Sequence, residues 1–171
     1  MWLANGNTST GNFTYLSFKS WSDYPTPVFV KKTNGDIETF TSISGALEDI
    51  EIKDGRFWKE FTLTIVDNGE KFKVQFGFNN NLWTSILNSL AWLTEIGYIE
   101  LSCYSKDWYG RVSVKNDGAS AQWKYSLEDL KEYTTTVKVN GQDLKDKTRL
   151  FELMENEIIP SIKETLSNNN F

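Results

Sequence analysis

Phe57-Trp58-Lys59-Glu60-Phe61-Thr62-Leu63-Thr64-Ile65-Val66-Asp67-Asn68-Gly69-Glu70-Lys71-Phe72-Lys73-Val74-Gln75-Phe76 is the stretch on which the fold turns. Phe57, Phe61, Leu63 and Ile65 share one parity, and Phe72, Val74, Phe76 and Phe78 share another after the turn residues Asp67 to Glu70. Alternation of period two marks strands with one buried face. The spacing predicts two antiparallel strands, about Phe57 to Val66 and Glu70 to Phe78, whose odd and even sets wall a common core.

Working outward, a strand over Gly45 to Lys53 precedes this pair through Asp54-Gly55, giving a three-strand meander. Leu47 lies on one parity of that strand, and Ile50 and Ile52 on the other. A bulge near Glu48-Asp49 would switch the face and curve the strand, as a small barrel requires. On the far side, Leu82, Trp83, Ile86, Leu87, Leu90 and Leu93 form an apolar helical stripe entered through Asn79-Asn80-Asn81. Strand chemistry resumes after Gly97 with Ile99, Leu101 and Cys103, then Val112 and Val114, and a short strand over Ala119 to Tyr125 after Asn116-Asp117-Gly118.

The flanks read differently. Residues 1–42 comprise an Asn-, Gly- and Ser-rich leader and a β extension, with strands at Phe13 to Lys19, Val28 to Lys32 and Ile37 to Phe40, the last two around Asn34-Gly35. Residues 43–125 hold the main β unit. Residues 126–146 form a polar linker with a turn at Asn140-Gly141, and residues 147–171 a helix and tail. Pro160 lacks a donor and should kink or restart that helix. Its apolar residues occupy more than one stripe, which predicts either docking onto the β unit or a homo-oligomer formed through the helix.

Composition narrows function. The chain has 171 residues, no histidine and a single cysteine. Imidazole acid-base chemistry, the usual zinc sites and an internal disulfide are therefore excluded, and neither catalysis nor a cofactor is expected. No apolar run approaches a membrane span, and the first residues lack a basic segment followed by an apolar one, so no membrane partner and a cytoplasmic site, the host cytoplasm for a phage product, are expected. The formal charge is −5. Twelve Lys and Arg face 14 Asp and Glu from Met1 to Lys124, and six face nine from Tyr125 onward, so any nucleic-acid site must be a local stripe.

Three strands, a helix and two more strands follow the order of the oligonucleotide- and oligosaccharide-binding (OB) fold, whose barrel carries a helix between strands three and four. Gly45-Ala46-Leu47-Glu48-Asp49-Ile50, Asp67 to Phe76, Ala121-Gln122-Trp123-Lys124-Tyr125 and the helix around Glu157-Ile158-Ile159-Pro160 resemble segments of bacteriophage single-stranded DNA-binding proteins of that fold. The resemblance implies a mainly β protein: a five-stranded OB barrel, an N-terminal β extension and a C-terminal helix. It also implies sequence-tolerant binding of single-stranded DNA, or of RNA, in replication or recombination. Bacterial-type relatives commonly end in an acidic tail, whereas this chain ends Ser167-Asn168-Asn169-Asn170-Phe171.

Such binding needs cations along phosphates and aromatic faces under bases. The outward parity supplies Trp58, then Lys71 and Lys73, then Tyr109, Arg111 and Lys115, while the flanking loops add Lys53, Arg56, Lys106 and Trp108. Trp58 could instead pack beneath the N-terminal hairpin, and Trp108 shares parity with the inward Val112 and Val114. Lys71 and Lys73 could simply solvate an edge. Carboxylate pairs such as Glu48 with Asp49, or Glu155 with Glu157, lack convergent partners and are assigned to solvent. Because aromatic platforms also stack on sugars, a carbohydrate-binding or virion structural module is the alternative reading.

Overall fold

The computed structural model describes residues 13–21, 24–33, 35–54, 59–77, 82–106 and 109–168. The strands of its large sheet are β1 (Phe13–Trp21), β2 (Tyr24–Thr33), β3 (Asp36–Phe40), β4 (Ser42–Asp54), β5 (Lys59–Asp67), β6 (Glu70–Gly77), β7 (Tyr98–Lys106), β8 (Tyr109–Asn116) and β9 (Ala119–Ser120). Helix α1 (Leu82–Trp92) separates β6 from β7, and α2 (Leu127–Lys131) follows β9. A separate hairpin, β10 (Thr135–Val139) and β11 (Gln142–Asp146), precedes the C-terminal helices α3 (Thr148–Leu153) and α4 (Ile159–Asn168).

The alternation read from the sequence sets the inner wall. Phe61 stands opposite Phe76, Leu63 opposite Val74 and Ile65 opposite Phe72. On the other side of β5, Phe61 meets Ile52, Leu63 meets Ile50 and Ile65 meets Leu47. The register of β4 slips between Leu47 and Asp49, so the expected bulge at Glu48 is present and returns Leu47, Ile50 and Ile52 to one face. β4 pairs with β5 from Ala46 onward, on both sides of the bulge, and with β7 from Ser42 to Ala46, Ala46 standing opposite both Val66 and Tyr98. Gly45 makes that crossing possible: a Cβ there would lie 2.6 Å from both Ile65 Cγ2 and the Val66 carbonyl oxygen.

The expected five-stranded barrel is corrected: among the described residues the strands form a nine-stranded sheet in the order β3-β2-β1-β6-β5-β4-β7-β8-β9, with no closed barrel. Within it the block β6-β5-β4-β7-β8, with α1 between β6 and β7, keeps the expected sequence of elements. The physical reason for the difference is an occupied edge. Closure would require the outer edge of β6, and β1 takes that edge in parallel, from Phe13 opposite Lys71 to Ser17 opposite Gln75. The N-terminal strands are thus integral to the sheet. Phe18 and Phe29 join Phe61 and Phe76 in one aromatic cluster, with Phe61 and Phe76 stacked at 4.9 Å between centroids. The predicted strand at Ala119 to Tyr125 is also shorter, since only Ala119–Ser120 pair.

Asn88 explains where the rest of that segment goes. Its fully buried side chain donates to the Tyr125 carbonyl at 2.7 Å and accepts from the Tyr125 amide at 2.8 Å, while its own carbonyl receives the Lys124 amide at 3.2 Å. The extended chain is therefore bound to α1 instead of the sheet. The C-terminal helices bury Leu150, Leu153, Met154, Ile158, Ile159, Ile162 and Leu166 in the same core as the sheet. The apolar side chains that raised the expectation of an oligomer are thus covered by their own chain. A π-helical turn at Met154–Ile158 lies just before Pro160, where the proline ring would crowd the carbonyl four residues back, so the helix is interrupted where the sequence predicts.

Replacing Asn88 by Ala leaves both backbone groups of Tyr125 without their partner. A urea-denaturation loss of about 2–4 kcal/mol is expected; a loss under about 0.5 kcal/mol would contradict this role.

Candidate nucleic-acid interface

The face of the sheet turned from the core carries the candidate residues, and the register determines which of them meet. On β6, Lys71 and Lys73 project outward. Beside them on β1 stand Phe13 and Tyr15, opposite Lys71 and Lys73 respectively. Lys73 Nζ lies 4.4 Å from the centroid of the Phe13 ring, a cation–π contact, and Tyr15 is 54% exposed. Lys71 is 5.9 Å from the same ring but also binds Glu48 Oε1 at 3.0 Å.

A second pairing of the same kind occurs on β7 and β8. Arg111 stands directly opposite Tyr104, which is 45% exposed. Next along this face, Ser113 is opposite Ser102, and Lys115 is opposite Glu100 with 4.0 Å between their charged atoms. Ser42 Oγ and Ser102 Oγ are hydrogen-bonded at 3.2 Å where β4 joins this face. Tyr15 was missed by sequence reasoning, while Tyr104, with Trp21, Tyr24, Tyr98 and Trp123, was an aromatic residue that could extend the surface but that the sequence alone did not place. Tyr104 is signalled by its parity with Ser102 and Glu100, whereas nothing local reveals the parallel pairing that brings Tyr15 to Lys73.

The remaining candidates separate. Lys53 is exposed but lies opposite Glu60, away from both tyrosine pairs. Arg56, Trp58 and Trp108 lie outside the described residues. Lys106 and Tyr109 are described as backbone, opposite one another at the end of the β7–β8 pair. The outward parity of β5 is not an open surface. Thr62 and Thr64 are only 4% and 7% exposed. Each is flanked by longer neighbours, Gln75 and Glu51 for Thr62, Lys73 and Asp49 for Thr64. Nor is Glu155 left to solvent. It meets Lys59 Nζ at 2.6 Å, and Lys59 also reaches Asp54 at 3.1 Å, fastening the C-terminal helices to β5. The Lys59 ammonium is accordingly held above its ordinary pKa, first by Glu155 and then by Asp54.

Comparison with family models, with curated proteins and with solved structures yields no match. Among the described residues no group of three or more His, Cys, Asp or Glu could hold a metal ion, and no helix is long and apolar enough to cross a membrane.

Cys103 faces inward opposite Val112, and burial pushes its thiol up to about 12 from 9.0. The folded state therefore keeps a proton that the unfolded chain releases above pH 9.0, so stability falls as pH rises from there towards about 12. Deprotonation of Lys59 weakens its ion pairs over the alkaline range as well, but equally in a Cys103→Ala variant. The urea midpoint of that variant is expected to decline less steeply above about pH 9 than that of the wild type. Parallel declines would contradict the buried-thiol assignment.

Proposed function

We propose that this chain binds single-stranded nucleic acid, DNA in the first instance, over the outward face of its sheet, without catalysis and with little regard to base sequence. The observation that carries the reading is the repeated pairing of an exposed tyrosine with a directly opposed cation, Tyr15 with Lys73 and Tyr104 with Arg111. An aromatic face beside a cation suits one nucleotide unit: the base stacks and the neighbouring phosphate is neutralised. Two such stations make a strand-tracking surface on a protein whose net charge of −5 would otherwise repel a polyanion. The pairing order β6-β5-β4-β7-β8, with α1 inserted, supports an OB-like core opened at β6 by the N-terminal strands. A role in phage-type DNA replication or recombination follows from the resemblance of the sequence segments.

Not all candidate cations contribute equally. Lys71 and Lys115 already face Glu48 and Glu100, so part of any gain from a phosphate is offset by loss of the carboxylate contact. Lys73, by contrast, lies over the Phe13 ring.

Titration of tryptophan fluorescence with oligo(dT) over a series of salt concentrations tests the reading. Lys73→Ala and Arg111→Ala are each expected to weaken binding and to flatten the log K against log salt slope by up to about one. Lys71→Ala and Lys115→Ala should do so less than Lys73→Ala, because a carboxylate already faces each of them. Tyr15→Ala and Tyr104→Ala should each cost about 1–3 kcal/mol with the slope nearly unchanged. Absence of any response to oligo(dT) at low salt would reject the proposal. Salt-insensitive binding to glycans would favour the carbohydrate reading instead.

A further inference from the structure

We propose that this chain associates head to tail with copies of itself, β10 of one copy adding to the free edge of β3 of the next. The hairpin β10–β11 motivates this. All five residues of each strand are exposed, and the two strands form a sheet of their own. A solitary two-stranded ribbon is marginal in water, yet Val137, Val139 and Leu144 line one of its faces in the open, Val137 directly opposite Leu144. Among the described residues β3 is the outermost strand of the large sheet, is exposed at all five positions, and presents Ile37 and Phe40. An uncovered strand edge is a template for another strand.

Charge selects the partner. Lys138 is the only charged residue of β10, whereas β3 carries Asp36 and Glu38 and no cation. Backbone geometry then fixes how they meet. Val139 and Gln142 close the turn at Asn140-Gly141, so the amide and carbonyl of Thr136 and Lys138 point to the open edge. By the same alternation from the Thr33–Asp36 closure, those of Ile37 and Thr39 point outward on β3. An edge residue of one strand must lie opposite a non-edge residue of the other in a parallel ladder, and opposite an edge residue in an antiparallel one. Lys138 opposite Glu38 therefore requires parallel addition, which also sets Val137 against Ile37 and Val139 against Thr39. One face of the joint gains a continuous apolar row of Ile37, Val137, Val139 and Leu144. The other gains a row of alternating charge, because Lys31 lies opposite Glu38 in β2 and Asp143 lies opposite Lys138 in β11.

Antiparallel self-pairing of β3 in the registers centred on Glu38 or Ile37 is disfavoured, since these set Glu38 against Glu38 or Asp36 of the second copy. The contact uses different patches on the two copies and so leaves a free β3 and a free hairpin at the ends, which extends into chains. The inference does not depend on what the outward face binds.

Sedimentation velocity over a range of protein concentrations tests it, using double swaps that keep opposite charges at facing positions within each hairpin. The wild type should form species larger than a dimer as concentration rises. K31E/E38K and K138E/D143K should each associate at least about tenfold more weakly, because each sets like charges across the joint. Mixing the two in equal amounts should restore association, because Lys138 then meets Glu38 at one joint and the reversed pair meets at the other. Circular dichroism checks that each swap is folded. A wild type that stays monomeric, a K31E/E38K protein that associates like the wild type, or a mixture that is not restored would overturn the proposal.

Discussion

The backbone edge of β6 cannot remain unpaired against a closely packed core, and the arrangement of the molecule follows from how that edge is satisfied. β1 adds to it in parallel, and once that ladder is made the third strand of the central block has no edge left with which to close on the fifth. The sheet continues outward through β2 and β3. Packing secures the choice: Phe18 from β1 and Phe29 from β2 enter the aromatic cluster around the stacked Phe61 and Phe76. Each aromatic pair adds about 0.5–1.5 kcal/mol beyond the area it buries, so the N-terminal strands are tied to the same core as the central block. β2 also packs against β7 and β8 without a hydrogen-bonded ladder between them, which curls the sheet around the core.

The same ladder builds the candidate interface. Parallel addition of β1 is what sets Tyr15 beside Lys73 and slides Phe13 under the lysine ammonium. At the other station the antiparallel β7–β8 register sets Tyr104 beside Arg111. Between these stations the surface is not uniformly basic: Glu48, Asp49, Glu51 and Glu100 occupy neighbouring positions, and two of the lysines are engaged by them. A polyanion would thus be held at discrete points, by charges whose reach is only about 8–10 Å at ordinary ionic strength.

The central block was legible because its signals are local. Alternation in β5 and β6, the parity switch at Glu48, the helical stripe after Leu82 and the turn dipeptides each act within a few residues; the described residues show the bulge, the helix and the turns at Asn68-Gly69, Asp117-Gly118 and Asn140-Gly141, while the turn after Asp54 lies outside them. The barrel reading failed for a non-local reason. A parallel pairing between residues 13–17 and 71–75 leaves no mark in either segment, because each reads only as a strand. The burial of Thr62 and Thr64 on the outward parity of β5 is non-local in the same way, being set by neighbours on adjacent strands and not by their own polarity. Asn88 lies inside an apolar helical stripe and reads as an interruption until its two bonds to Tyr125 are seen. Of the candidate site, Lys71, Lys73, Arg111 and Lys115 were found by parity alone, whereas the aromatic partners depended on pairing across strands.

Mapping amide and side-chain NMR shifts during titration with oligo(dT) addresses the central claim most directly, since it asks which face the strand touches. The largest changes are expected at Tyr15, Lys73, Tyr104 and Arg111, with the inward residues Leu63, Val74 and Val112 little affected. Changes confined to the C-terminal helices, or none at all at saturating oligonucleotide, would contradict it.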